Sequence, residues 1–235
     1  MSNWRKALED YSHPCNLCDY EERNRFPGYF NTIISGDRDS TIIFEDWFRY
    51  KARESIEVYF EVIFLKLYSW KKSSAGDSAS DITTHIVEFM LKNNVDPSQL
   101  CDAIESFTET PNLPNLRKFR HLLGLAKENG ALAIALTFPA FIDPANFPMI
   151  DMKVVKWIDV NFAAQNANRR AKLTRFEFRG PSLQDNDFPN YLNWVNWCRE
   201  MAKVLTLRTN MHWRARDVEM SVFTASKRGL LLEVL

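Results

Sequence analysis

Apolar residues recur at helical spacing along most of this chain, the pattern of amphipathic helices packed on one another. The run from Ser55 to Tyr68 is apolar on nearly every side, which predicts a central, buried helix. From Asp81 to about Asn93, Ile82, Ile86, Phe89 and Met90 share one face. Asp96-Pro97 reads as an N-cap followed by Pro at the first helical position. It opens a helix with Leu100, Ile104 and Phe107 on one side, and Pro111 and Pro114 end it. Leu116 to Leu123 and Ala131 to Phe138 predict two further helices, joined by a turn over Gly124 to Gly130. Another runs from Asp151 to about Asn161. Asn190 to Leu205 carries Tyr191, Trp194, Val195, Trp197, Cys198, Met201 and Leu205, and a last helix spans Arg214 to about Ser226.

Between these runs lie turn signals. Residues before about position 50 are dense in Pro, Asn, Asp and Gly and read as irregular, with Thr41-Ile-Ile-Phe a short strand or a docking segment. Trp70 to Ser80 is polar and reads as an exposed loop, and Arg175 to Phe188 as another. The expected fold is all-α, with roughly ten helices on short connections. Residues 1–45 form an irregular N-terminal arm in this reading. Residues 46–235 form the helical domain.

At 235 residues, 46% of them apolar and 26% charged, the chain suits a soluble domain with a substantial core. Zero net charge excludes a uniformly basic protein, yet residues 151–235 hold 14 Lys and Arg against 9 Asp and Glu. That half is compatible with an anionic partner. The apolar run Ala131 to Ile142 is too short to span a bilayer and is broken by Pro139. The N-terminus has no apolar secretory core, so a cytoplasmic, monomeric protein with reduced thiols and no membrane partner is expected. With 7 Trp and 17 Phe, the chain has aromatics for stacking surfaces or for a tightly packed helical core.

Walker loops, Gly-x-Gly-x-x-Gly, His-Glu-x-x-His and a Ser-centred nucleophile elbow are all missing from the sequence, which removes support for nucleotide-dependent and familiar hydrolase classes. His13-Pro-Cys15-Asn-Leu-Cys18 is half of a zinc site by spacing, with no second pair to complete it. Neither a metal nor another cofactor is expected. Arg214 and Arg216 either hold phosphate or pair with Asp217 and Glu219 at helical spacing; the ion pairs are the simpler reading. Asp151 stands at the head of a helix, where it either caps the first turn or offers a lone carboxylate for chemistry.

The order of these elements resembles the helix-hairpin-helix DNA glycosylase superfamily. In that family a Leu-Pro-Gly-x-Gly hairpin opens an apolar helix, and an Asp follows in a context like Val-Asp-Thr-His-Val. Here Gly130 precedes Asp151 by 21 positions, and Ile150-Asp-Met-Lys-Val is similar to the acid's setting. Tyr59-Phe-Glu-Val-Ile-Phe is similar to a Phe-Glu-x-Leu-x-x-x-Ile helix near the start of that domain, and Tyr191 to Leu205 followed by Asp217-Val-Glu is similar to its end. The resemblance covers roughly residues 45–230, and it implies a two-lobed domain with a cleft between two helical halves. Two departures stand out. Five residues separate Gly124 from Gly130, so the phosphate-binding nest is lengthened. No lysine stands at Gly130 or Ala131, and Lys127 is displaced, so a Schiff-base step loses its nucleophile.

The resemblance implies a monofunctional enzyme of base excision repair acting on double-stranded DNA, nucleoid-associated in that case. Asp151 would stabilise the sugar cation and orient the attacking water. The flipped base needs an aromatic pocket, for which Phe147, Trp157, Trp194 and Trp213 are candidates, with core packing the alternative for each. Trp70 would wedge into the duplex with Lys71 and Lys72 on phosphate, unless that turn is merely charged and exposed. Gly124, Lys127, Asn129, Gly130, Arg214 and Arg216 would hold the backbone. Two rivals remain: a catalytically inactive DNA-binding or protein-interaction module of the same fold, and a helical enzyme acting on a small molecule.

Overall fold

The structure is a computed structural model that describes residues 3–12, 36–63, 78–125, 132–166, 172–176 and 183–234. Every regular element among them is helical. In chain order these are α1 (Asn3–Glu9), α2 (Arg38–Lys51), α3 (Glu57–Val62), α4 (Ser78–Lys92), α5 (Pro97–Glu109), α6 (Leu113–Leu122), α7 (Leu132–Ala135), α8 (Thr137–Ile142), α9 (Met152–Gln165), α10 (Phe188–Thr209) and α11 (Ala215–Arg228). A 3-10 turn at Asp185–Asp187 leads into α10. No described helix is long and apolar enough to cross a membrane.

The cap at Asp96 follows its sequence signal, whereas α6 starts three residues before the expected Leu116, with Pro114 inside its first turn and not ending the helix before it. Asp96 accepts from Ser98 N at 3.0 Å with Pro97 inside the first turn of α5, and Asn112 accepts from Asn115 N at 2.8 Å to open α6. The expected helix over Ala131 to Phe138 is instead two short helices that meet at Leu136. Pro139 explains the break, because it has no N–H to offer the carbonyl one turn back. In α8 it sits in the first turn, where no such donor is needed.

The N-terminal region departs from its irregular reading. Residues 3–9 and 38–51 are helical, and Thr41-Ile-Ile-Phe lies inside α2, not in a strand. Asp37 caps α2 through Ser40 N at 2.8 Å. Thr41, Phe44, Glu45 and Phe48 then form one buried helical face, which the dense turn residues upstream obscure. Residues 13–35 lie outside the described set.

Two groups of helices share one apolar cluster. In the first, α2 lies on α8, and α5 packs on α6 and α8. Phe48 meets Tyr59 and Phe141 edge to face, at 5.1 and 5.6 Å between ring centroids. In the second, α11 packs against α1, α9 and α10. Phe107 of α5 touches Phe147 and Phe188 and joins the two groups.

The most deeply placed helix is α11. Every residue from Ala215 to Ala225 is buried, including Arg216, Asp217 and Glu219. The predicted central helix over Ser55 to Tyr68 is described only through α3 and Ile63, where Val58, Tyr59, Phe60, Val62 and Ile63 are indeed buried.

Glu61 of α3 is half-buried, and desolvation alone pushes its carboxyl up to about 7. Its folded value lies above its unfolded value near about 4.3. The folded state therefore loses stability as pH rises between those two values and stays lower above them. Glu61→Gln, which cannot ionise, is expected to raise stability at pH 8 by about 1–2 kcal/mol after allowance for solvent screening. At pH 4.5 the difference should vanish. Thermal unfolding at the two pH values checks this, and equal shifts at both would refute it.

Candidate functional site

The loop from Asp143 to Ile150 carries the chain from α8 to Asp151, and its carbonyls are tied to α10 and α11. Pro144 O accepts from Arg216 N at 3.1 Å and Ala145 O from Ala215 N at 3.0 Å. Asn146 O accepts from Arg199 Nε at 3.0 Å. Pro148 O accepts from the Tyr191 hydroxyl at 3.2 Å, and Met149 O from the Trp194 indole at 2.9 Å. A loop whose polar backbone finds partners at this density is well ordered. Ile150 and Phe147 anchor it in the core.

Asp151 follows at the N-cap of α9 with extended backbone, its Oδ1 accepting from Val154 N at 2.7 Å. The capping role open from the sequence is therefore realised. The residue is half-buried. Burial pushes its carboxyl above the ordinary aspartate value; the amides of Val154 and Lys153 and the charges of Lys153 and Arg216 offset only part of that. A carboxylate raised in this way is a stronger base than a solvated one.

Arg216 belongs to a buried ionic network. It pairs with Glu219 one turn on and lies 3.4 Å from Glu45 Oε1. Arg214 bonds Glu45 Oε2 at 2.6 Å and Asp217 Oδ1 at 2.9 Å. Arg38 reaches Asp217 Oδ2 at 3.0 Å. Burial alone would lower the Arg214 guanidinium; Glu45 and Asp217 outweigh it and raise it. Burial likewise pushes Asp217 up, but Arg214 and Arg38 hold it below the ordinary value. The two expected pairs at helical spacing thus form, and both arginines, proposed as phosphate contacts, are engaged inside the fold. Sequence spacing gave no hint of Glu45, which approaches Arg214 from 169 positions away.

The four candidate pocket aromatics are core residues. Trp157 touches Trp4 and Trp197. Trp194 stacks on Trp197 at 5.5 Å. Trp213 donates its indole N–H to Thr209 at 2.8 Å. Phe147 is covered by Phe107 and by the Arg199 guanidinium. All four are at most 5% exposed, so the packing alternative describes them and the pocket assignment does not. Trp157 and Trp194 face inward from α9 and α10, Phe147 and Trp213 are buried from the connections that precede α9 and α11, and the indoles of Trp194 and Trp213 find protein acceptors.

Gly124 is the αL residue that ends α6, with φ of 74°. Its N–H goes to His121 O, and Leu125 N reaches back to Arg120 O at 2.9 Å, the paired bonds of a Schellman cap. A Cβ there would meet Phe89 Cγ at 2.5 Å. Helix ending and close packing account for this glycine, and its amide is turned inward, not toward a phosphate. Trp70, Lys71, Lys72, Lys127, Asn129 and Gly130 lie outside the described residues, as do His13, Cys15 and Cys18. Among the described residues no group of three or more His, Cys, Asp or Glu could hold a metal ion. Cys101 and Cys198 are buried free thiols.

Comparison with protein-family models, curated proteins and solved structures finds no match to this chain.

Proposed function

We propose that this protein is a monofunctional DNA N-glycosylase of the base excision repair type, with Asp151 as its working carboxylate. The observation that carries the reading is the mounting of Asp151. It ends a loop fastened to two helices, caps α9 with one oxygen, and keeps a carboxyl raised by burial. In the reaction the leaving base would withdraw electrons from the glycosidic bond and positive charge would develop on the deoxyribose. Asp151 would stabilise that charge and take a proton from the attacking water. The residues that receive the base are not the four buried aromatics. Duplex contacts would fall to Lys127, Asn129 and Gly130 and to Trp70, Lys71 and Lys72, as the resemblance implies.

Incubation of duplexes that each carry one modified base tests the reading. Wild type is expected to release base from at least one, and Asp151→Asn to do so at least about a hundredfold more slowly. Release by the variant at the wild-type rate removes Asp151 from the mechanism.

One observation favours a second reading, a non-catalytic protein-interaction module. The arginines read as phosphate contacts, Arg214 and Arg216, are neutralised by Glu45, Asp217 and Glu219. No duplex binding even at low salt, with no product from any lesion, selects that reading over catalysis.

A further inference from the structure

Helix α2 presents two different faces. Its inner face, Thr41, Phe44, Glu45 and Phe48, is buried, and the helix packs on α8. Its outer face carries Ile43, Trp47 and Tyr50 at i, i+4 and i+7, one stripe down the helix. Ile43 and Tyr50 keep 70% and 72% of their surface in solvent. Trp47 is half-buried and lies flat on Phe44, with ring centroids 5.5 Å apart. Single exposed apolar side chains are ordinary. Three on one stripe are spaced as the anchors of a helix that docks on a partner.

The charges beside the stripe say what fits it. The first turn of α2 holds Asp39, and the last turn holds Arg49 and Lys51. Asp46 pairs with Arg49 along one flank, and both side chains are exposed. A second α2 laid parallel would set acid on acid and base on base. Laid antiparallel, it sets the acidic start of each helix beside the basic end of the other and opposes the two helix dipoles. A two-fold axis between Asp46 and Trp47 then brings Ile43 onto the second copy's Tyr50 and the two Trp47 rings together. It also brings Asp46 beside the second copy's Arg49. The face is thus complementary to itself in its apolar stripe and in its charge, as a two-fold contact requires.

We propose that the outer face of α2 is the contact of a two-fold dimer, occupied by a second copy of this chain. The dimer replaces the monomer expected from the sequence and is independent of the role given to Asp151. One helical stripe falls short of the about 800 Å² per partner of a standard interface, so the dimer is weak and forms as concentration rises.

Sedimentation equilibrium of the full chain over about two decades of concentration is the test. Wild type is expected to pass from monomer to dimer. Ile43→Asp should weaken the dimer about tenfold or more, because the two-fold axis counts each substitution twice. Tyr50→Lys should do the same and carries the test if the first variant does not fold. Asp46→Arg and Arg49→Asp each set like charges together and should weaken the dimer, whereas the double exchange Asp46→Arg with Arg49→Asp should recover it. Wild type that stays monomeric at every concentration overturns the inference. A dimer of unchanged affinity in both folded apolar-face variants overturns it too, because the contact then lies elsewhere on the surface.

Discussion

Asp217→Ala is expected to remove about 3–5 kcal/mol of folding stability. Both carboxylate oxygens are fully enclosed and accept bonds from three sources: the Arg214 guanidinium, the Arg214 backbone N–H and the Arg38 guanidinium. Removing the carboxylate strips the cap from α11 and leaves Arg214 with Glu45 alone. An uncompensated buried charge is far more costly than the pair was beneficial. Arg38→Ala should be the milder change, because the Arg38 side chain keeps 24% of its surface in solvent and exposed partners contribute little. The effect also depends on pH. The folded value of Asp217 is depressed, so its contribution is complete above the unfolded value near about 3.9. It is lost as pH falls through the folded value. Urea unfolding of Asp217→Asn and wild type should therefore differ most near neutrality and converge as pH falls below the depressed folded value. A constant difference across that range would show that shape, not charge, is what Asp217 supplies.

That network also marks where the sequence stops being legible. The caps at Asp96 and Asp151 are local, so they can be read from a few adjacent residues, and the apolar spacing in α4, α5 and α10 is local too. The burial of α11 is not. Its run Arg-Asp-Val-Glu looks like a solvated face, because charged side chains enter a core only when partners meet them. Those partners include Glu45 and Arg38, from a helix at the other end of the chain that itself was hidden among turn residues. The aromatic candidates failed for the opposite reason. Trp157 and Trp194 take core positions on their helices, Phe147 and Trp213 lie in connections where periodicity gives no direction, and nothing local separates a core ring from a base-binding wall. Asp151 stands between the two cases. Its capping geometry was readable, whereas its basicity depends on burial and on Arg216, both set by tertiary packing.

Trp4→Ala is expected to cost about 3–5 kcal/mol, although Trp4 lies in a helix of only seven residues near the start of the chain. So short a helix has no stability of its own in water and is held by what it packs against. Trp4 is fully buried, edge-on to Trp157 at 6.4 Å and tilted against Trp197 at 6.1 Å. Its indole N–H goes to Glu233 O at 2.9 Å, and its own carbonyl accepts from Ser221 of α11 at 3.3 Å. The side chain therefore joins α1 to α9, α10 and the C-terminal residues, while the backbone carbonyl ties it to α11. Truncation opens a cavity at the meeting point and leaves the Glu233 carbonyl without its donor. Trp4→Phe loses the donor and part of the ring contacts but keeps most of the packing, so it should cost less than half as much. Chemical denaturation of the two variants separates these contributions, with an unchanged m-value if both still unfold in one step. Equal losses in Phe and Ala would place the whole effect on the indole hydrogen bond. The consequence reaches the candidate site, because Trp157 lies on the helix that Asp151 caps. If Trp4 anchors that helix, then base release by Trp4→Phe should fall with temperature-dependent loss of folded protein and not with any change in its pH profile.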